Sequence, residues 1–170
     1  MRIIANLVIG SDGATVLEGS SKGLSSELDR SRFHALREKS STILIGGNTA
    51  RNEPYSKTPV PLVIVSASNQ IPKEVRNNPL AHIWNISPLE AIMRIGDEFE
   101  VFGSEILVEG GAQLLQELLD GDVIDELFIT QTQQIGGTDA ISLKSLTSGF
   151  HEKSCEEISG DKFWHFVRER

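Results

Sequence analysis

The chain has 170 residues, a formal net charge of −8, 39% hydrophobic residues and 24% charged residues. That length fits one domain, expected over residues 1–170, and that charge leaves no basic stripe to displace counterions from a nucleic acid. No apolar run reaches the ~20 residues a membrane helix needs. The one cysteine, Cys155, excludes an intramolecular disulfide, and His34, His82, His151 and His165 are too scattered for a metal site. The expectation is a cytoplasmic enzyme with no nucleic-acid or membrane partner and no intrinsic metal.

Ile3 to Ile9 reads as a mostly buried strand, ended by the turn Gly10-Ser11-Asp12-Gly13, whose Asp is suited to bond its own backbone. A polar stretch, Glu18 to Gly23, follows. Ser25 or Ser26 then caps a helix running to about Lys39, with Leu28, Arg32, Ala35 and Leu36 on an inward face. Thr42 to Ile45 is a second strand, broken by Gly46-Gly47, and Asn48-Thr49 opens a short helix that stops before Pro54. Pro61 to Ser66 and Ala81 to Ile86 are the third and fourth strands. Ser87 caps a helix with Pro88 at its first position, reaching about Arg94.

Glu105 to Val108 is the fifth strand, meeting Glu109-Gly110-Gly111 and a helix from Ala112 to about Leu119. Ile124 to Thr132 is a sixth. The tail reads as a closing antiparallel hairpin, with strands around Ser154 to Ile158 and Phe163 to Val167. Strand and helix alternate through the front two thirds, which implies an α/β fold with a mostly parallel sheet.

Val108-Glu109-Gly110-Gly111-Ala112-Gln113-Leu114 is the sharpest local feature. A strand that meets two glycines and then a helix offers successive N–H groups to an anion. It is equally a tight connection needing positive φ. Gly46-Gly47-Asn48-Thr49 repeats the pattern, which suits a long phosphorylated ligand at one sheet edge. Arg37 lies on the inner side of its helix and needs a partner, either a protein carboxylate or an anionic ligand.

In this order the pieces resemble the reductase domain of bacterial riboflavin biosynthesis, usually fused C-terminal to a zinc deaminase, with a dihydrofolate-reductase-like fold. The resemblance runs from Gly10–Gly13 through Gly19-Ser20-Ser21, Leu36-Arg37 and Ile45–Thr49 to Val108–Gly111 and Val123–Leu127. It implies NADPH-dependent reduction of a phosphorylated ribosylamino-pyrimidine to the ribitylamino compound, and a homodimer. By position, Ile9, Gly23, Thr49, Glu53, Ser66, Gly110, Gly111, Ala112, Gln113 and Leu114 would line NADPH. Ser21, Arg37, Lys57 and Glu109 would meet the substrate, with Glu109 the catalytic candidate. The cofactor's 2′-phosphate would need basic or hydroxyl partners, and Ser66 with Ser68 and Asn69 is the candidate cluster.

The chain departs from that pattern at three places. Gly10-Ser11 stands where Ser-Leu is usual, Gly23 where an aromatic is common, and Asn52-Glu53-Pro54-Tyr55-Ser56-Lys57 offers one acid for the usual pair and only Lys57 for the Arg or Lys that follows. No deaminase motif is present. Two other readings stay open: a reductase of this fold acting on a pterin or another conjugated imine, and a non-catalytic nucleotide-binding module. The strand Phe163–Val167, apolar on both faces, fits either a dimer contact or an inner strand of the sheet.

Overall fold

The computed structural model describes residues 1–68 and 70–169. In chain order its elements are β1 (Arg2–Ile9), α1 (Glu27–Lys39), β2 (Thr42–Gly46), α2 (Gly47–Asn52), β3 (Leu62–Val65), α3 (Lys73–Arg76) and β4 (Ala81–Trp84). There follow α4 (Pro88–Asp97), α5 (Phe99–Phe102), β5 (Glu105–Val108), α6 (Ala112–Asp120), β6 (Glu126–Gln131), α7 (Leu143–Leu146), β7 (Phe150–Ile158) and β8 (Asp161–Arg168). The strands form one sheet in the order β4-β3-β2-β5-β1-β6-β8-β7. β1 to β6 pair in parallel, and the β7–β8 hairpin is antiparallel. This is the expected α/β architecture.

The central strands are apolar because both their faces are covered. On one face Ala5, Leu44, Val108 and Leu127 pack beneath Ile92 and Ile95 of α4 and Leu115 and Leu118 of α6. On the other, Ile43, Ile45, Leu62 and Ile64 pack with Ala50, Tyr55 and Val75. Local signals fix the helix starts. The Ser26 side chain accepts from Asp29 N, and Ser87 with Glu90 forms a complete capping box ahead of α4, with Pro88 leading.

The inward face expected for α1 needs correction, and the tail resolves an open choice. On α1, Leu28 and Ala35 are exposed, and the sheet-facing side carries Asp29, Arg32 and Arg37 among its residues. An apolar stripe is not needed there, because part of the sheet beneath is polar: Asn6, Glu126 and Thr130 are all buried on that side. At the tail, β8 lies between β6 and β7, so Phe163–Val167 belongs to an inner strand and β7 is the exposed edge. β7 also starts at Phe150, earlier than the pattern suggested.

Candidate active site

Parallel strands bring their carboxyl ends to one edge, and the chain turns there from strand to helix. β2 and β5 are neighbours, so the two Gly-Gly turns lie side by side. Gly46 N donates to Gly110 O at 3.4 Å, and a Cβ on Gly111 would stand 3.4 Å from Gly46 Cα. Gly110 and Gly111 have φ of +115° and +96°, values that side chains rarely tolerate. Beyond them α6 begins with no side-chain cap and no acid in its first turn. Its leading N–H groups, uncapped by any side chain among the described residues, therefore suit an anion.

Glu109 is buried at the end of β5 and is held from two sides. Arg37 donates from Nε to Oε1 at 2.7 Å and from Nη2 to Oε2 at 2.6 Å, while Tyr55 Oη donates to Oε2 at 2.9 Å. The Arg37 guanidinium also lies 4.3 Å from the Phe33 ring centre and 5.2 Å from that of Tyr55. Burial lowers the Arg37 pKa, but the bonds and charge of Glu109 outweigh that and raise it above its ordinary value. Burial, then the Glu109 charge, push the Tyr55 hydroxyl well above 10.0. Tyr55 thus stays a neutral donor. Removing one partner from a buried ion pair of this kind costs about 3–5 kcal/mol.

The two residues expected to meet the substrate therefore meet each other. Arg37 Nη1 has no hydrogen bond to another described side chain at this contact, and Glu109, whose side chain is 0% exposed, has one lone pair not taken by Arg37 or Tyr55. Ser21 and Glu53 are likewise joined: the Ser21 backbone N–H and hydroxyl both donate to Glu53 Oε1 at 2.8 Å. That contact ties the loop after β1 to the end of α2. Thr49 Oγ1 lies 3.7 Å from where a Gly110 Cβ would stand, and Ser66 Oγ fills the space where a Gly47 Cβ would stand. These groups surround the paired turns.

Other candidates are placed differently. The Ile9 side chain is in the core and its carbonyl accepts from Thr132 N at 2.9 Å. Leu114 is also a core residue, so only its backbone is left for a ligand, whereas Ala112 and Gln113 are exposed. Gly23 ends a short 3-10 turn, where a Cβ would stand 2.8 Å from Leu17 O. Lys57 is exposed next to Thr58, whose hydroxyl accepts from Asn78 before β4, and it is not grouped with Glu109. Ser66 Oγ donates to Ser68 O and accepts from Ser68 N, which closes a local turn. Asn69 lies outside the described residues.

Sequence pattern gives no hint of Tyr55, because it sits in an irregular loop between a short helix and a strand. Arg51 is the other addition. Its Nη1 lies 3.3 Å from where a Gly47 Cβ would stand, beside Ser66, and it forms no ion pair among the described residues. Two clefts, of about 430 and 360 Å³, lie on the other flank of α1, against β6 and β8.

The family model for the RibD C-terminal domain matches residues 2–159. A search of the curated proteins finds no match. Among solved structures, the chain is similar to a deaminase/5-amino-6-(5-phosphoribosylamino)uracil reductase from Thermotoga maritima, at 20% identity and a TM-score of 0.73. That likeness covers 99% of this chain and 56% of the other. Acinetobacter baumannii RibD gives 16% identity and a TM-score of 0.76, over 99% and 58%. A pyrimidine reductase-like protein from Corynebacterium diphtheriae gives 14% and 0.72, over 99% and 92%. The chain thus spans just over half the length of the first and second of these.

Proposed function

The chain belongs to the family of RibD C-terminal domains, and on that premise we propose that it is an NADPH-dependent pyrimidine reductase of riboflavin biosynthesis. Its substrate is then a phosphorylated 5-amino-6-ribosylaminouracil, reduced to the ribitylamino compound. The observation that carries this reading is Glu109, fixed by Arg37 and Tyr55 at the end of β5, against the paired glycine turns.

The residues present fit the cofactor. The uncapped start of α6 supplies N–H groups for a pyrophosphate, Gly110 leaves room beside Thr49 that a Cβ would take up, and Gly111 lets this turn approach Gly46 closely. Thr49, Ser66 and Arg51 stand around the same edge. NADPH bound there would supply the hydride that reduces the C=N carbon of the ring-opened ribosylamine, whose nitrogen takes a proton from solvent to become the amine.

What the chain itself does is position. Glu109 accepts a hydrogen bond from a sugar hydroxyl through its remaining lone pair. Arg37 offers Nη1 to the substrate phosphate while its other two donors keep Glu109 in place. The Ser21–Glu53 contact holds the loop after β1 against the end of α2. Orientation of two bound ligands accounts for the acceleration, with no covalent intermediate.

One pair of assays tests the reading. NADPH oxidation is followed with the ribosylamino-pyrimidine phosphate and, separately, with dihydrofolate. Turnover with the first alone supports it. Turnover with dihydrofolate alone moves the chain to a different substrate, and tight NADPH binding without turnover makes it a binding module.

A further inference from the structure

Tyr55 fills a core position at which packing alone asks only for a ring. It is buried with Ile43, Ile45, Leu62 and Val75. Its backbone is tied down by Asn78, also buried, which donates from Nδ2 to Tyr55 O at 3.2 Å and to Thr58 Oγ1 at 3.1 Å. The hydroxyl has one partner among the described residues, Glu109 Oε2. A buried phenol carries a polar atom that must be paired, a demand that phenylalanine would not make. What the hydroxyl adds is therefore to be found at Glu109.

An arginine can meet a carboxylate in two ways. Side-on it uses Nε and Nη2 and leaves Nη1 over; end-on it uses Nη1 and Nη2 and leaves Nε, an inner atom of the group. Arg37 is side-on. Two contacts of Tyr55 favour that mode. Its hydroxyl donates to Oε2, which already holds Arg37 Nη2, so that oxygen has both lone pairs taken. Its ring centre lies 5.2 Å from the guanidinium carbon, with that of Phe33 at 4.3 Å. Without the hydroxyl, a lone pair on a side chain that is 0% exposed would lose its partner. The spare donor of the same guanidinium, Nη1, can fill it only by turning the fork end-on.

We propose that Tyr55 is a positioning residue: acting through Glu109, it holds Arg37 in the side-on fork and so keeps Nη1 for an anionic ligand, the phosphate ester of a sugar. Tyr55 itself touches neither that ligand nor NADPH. Its phenol is raised well above its ordinary pKa by burial and the Glu109 charge, so it remains a neutral donor through the working range of pH.

The inference rests on the reductase reading only for what the sugar phosphate belongs to. It deepens that reading by adding a residue outside the ligand's reach that sets how the ligand is held.

The test is binding of ribose 5-phosphate and, separately, of NADPH to the full chain, measured by calorimetry. Tyr55→Phe keeps the ring and removes only the hydroxyl. It should weaken ribose 5-phosphate roughly tenfold, the size expected of one hydrogen bond to a charged group, and leave the Kd for NADPH within about twofold. A second measurement leaves the core as it is. Tyr55 is the one tyrosine in the chain, so growth on 3-fluorotyrosine labels this position alone and retains the hydroxyl. The labelled chain should bind ribose 5-phosphate as the wild type does, and its fluorine signal should move as the sugar phosphate saturates. Equal weakening of both ligands in Tyr55→Phe would make the role merely structural and overturn the proposal. Unchanged affinity for ribose 5-phosphate in that variant, a fluorine signal that stays fixed, or a wild type that does not bind the sugar phosphate overturns it too. Neither measurement involves turnover, so a chain inactive in the reductase assay can pass this test and an active one can fail it.

Discussion

Arg37 and Glu109 bridge α1 and β5 with a two-bond fork, 2.7 Å from Nε to Oε1 and 2.6 Å from Nη2 to Oε2. A glutamine at position 109 has one acceptor oxygen and cannot take both bonds. Glu109→Gln should therefore lower kcat far more than it raises the KM for NADPH, because the carboxylate serves the substrate side. Equal losses in both would remove Glu109 from that side.

Tyr55 is the one tyrosine in the chain, so its ionisation can be read by absorbance without ambiguity. Burial and the adjacent Glu109 charge raise its pKa well above 10.0. A phenol raised in this way favours the folded chain increasingly little as pH climbs past its unfolded value. The phenolate band should accordingly grow in only together with loss of the native dichroism. In Glu109→Gln the band should appear at lower pH, since one source of the shift is gone.

Arg51 stands beside Gly47 and Ser66 without a carboxylate partner among the described residues. If it meets the 2′-phosphate, Arg51→Ala raises the KM for NADPH by roughly 10–100-fold, the equivalent of one charge-assisted bond. The KM for NADH should hardly move. Parallel loss with both cofactors would place the 2′-phosphate elsewhere.

Gly111 combines φ of +96° with close approach to Gly46. Gly111→Ala should destabilise the chain by about 1–3 kcal/mol. In a chain of this size that is a fall in Tm of roughly 2–4 °C per kcal/mol, measurable by calorimetry.

Glu126 joins the two ends of the chain. It accepts from Arg2 Nε and Nη2 at 2.9 and 2.6 Å, and its Oε2 lies 2.6 Å from His165 Nε2. Burial pushes this carboxyl up, but hydrogen bonds from Arg2 and His165 outweigh that and hold it below 4.5. Its contribution is therefore present above the unfolded value and is lost as pH falls through the depressed one. Glu126→Gln should melt below the wild type at neutral pH, and the gap should close on acidification. A gap that stays constant into acid would show that the charge is not what stabilises this contact.

The sequence makes the sheet legible wherever an apolar run meets glycine or a cap, as at Val108–Gly111 and Ser87–Pro88. It misleads on α1, where apolar spacing picks out Leu28 and Ala35 while the sheet-facing side holds Asp29, Arg32 and Arg37. Hydrophobic periodicity assumes a dry partner, and the surface below this helix carries Asn6 and Thr130. Of the site, Arg37 and Glu109 were legible singly, but their pairing depends on α1 crossing to β5. Tyr55 reaches Glu109 from a loop with no repeat to mark it. Arg51 lies on a helix of six residues, too short for a period to show.

The position of β1 also sets a timetable for synthesis. β1 is an inner strand, and its neighbours are β5, starting 103 residues after Arg2, and β6, later still. At about 5–20 residues per second a ribosome leaves β1 without either partner for roughly 5–20 seconds. Over that interval Ile3, Ile4 and Val8, all buried in the finished sheet, have no native neighbours to cover them. At β1 the nascent chain is exposed to mispairing and to chaperone capture, and that hazard ends only when Glu105–Val108 has emerged.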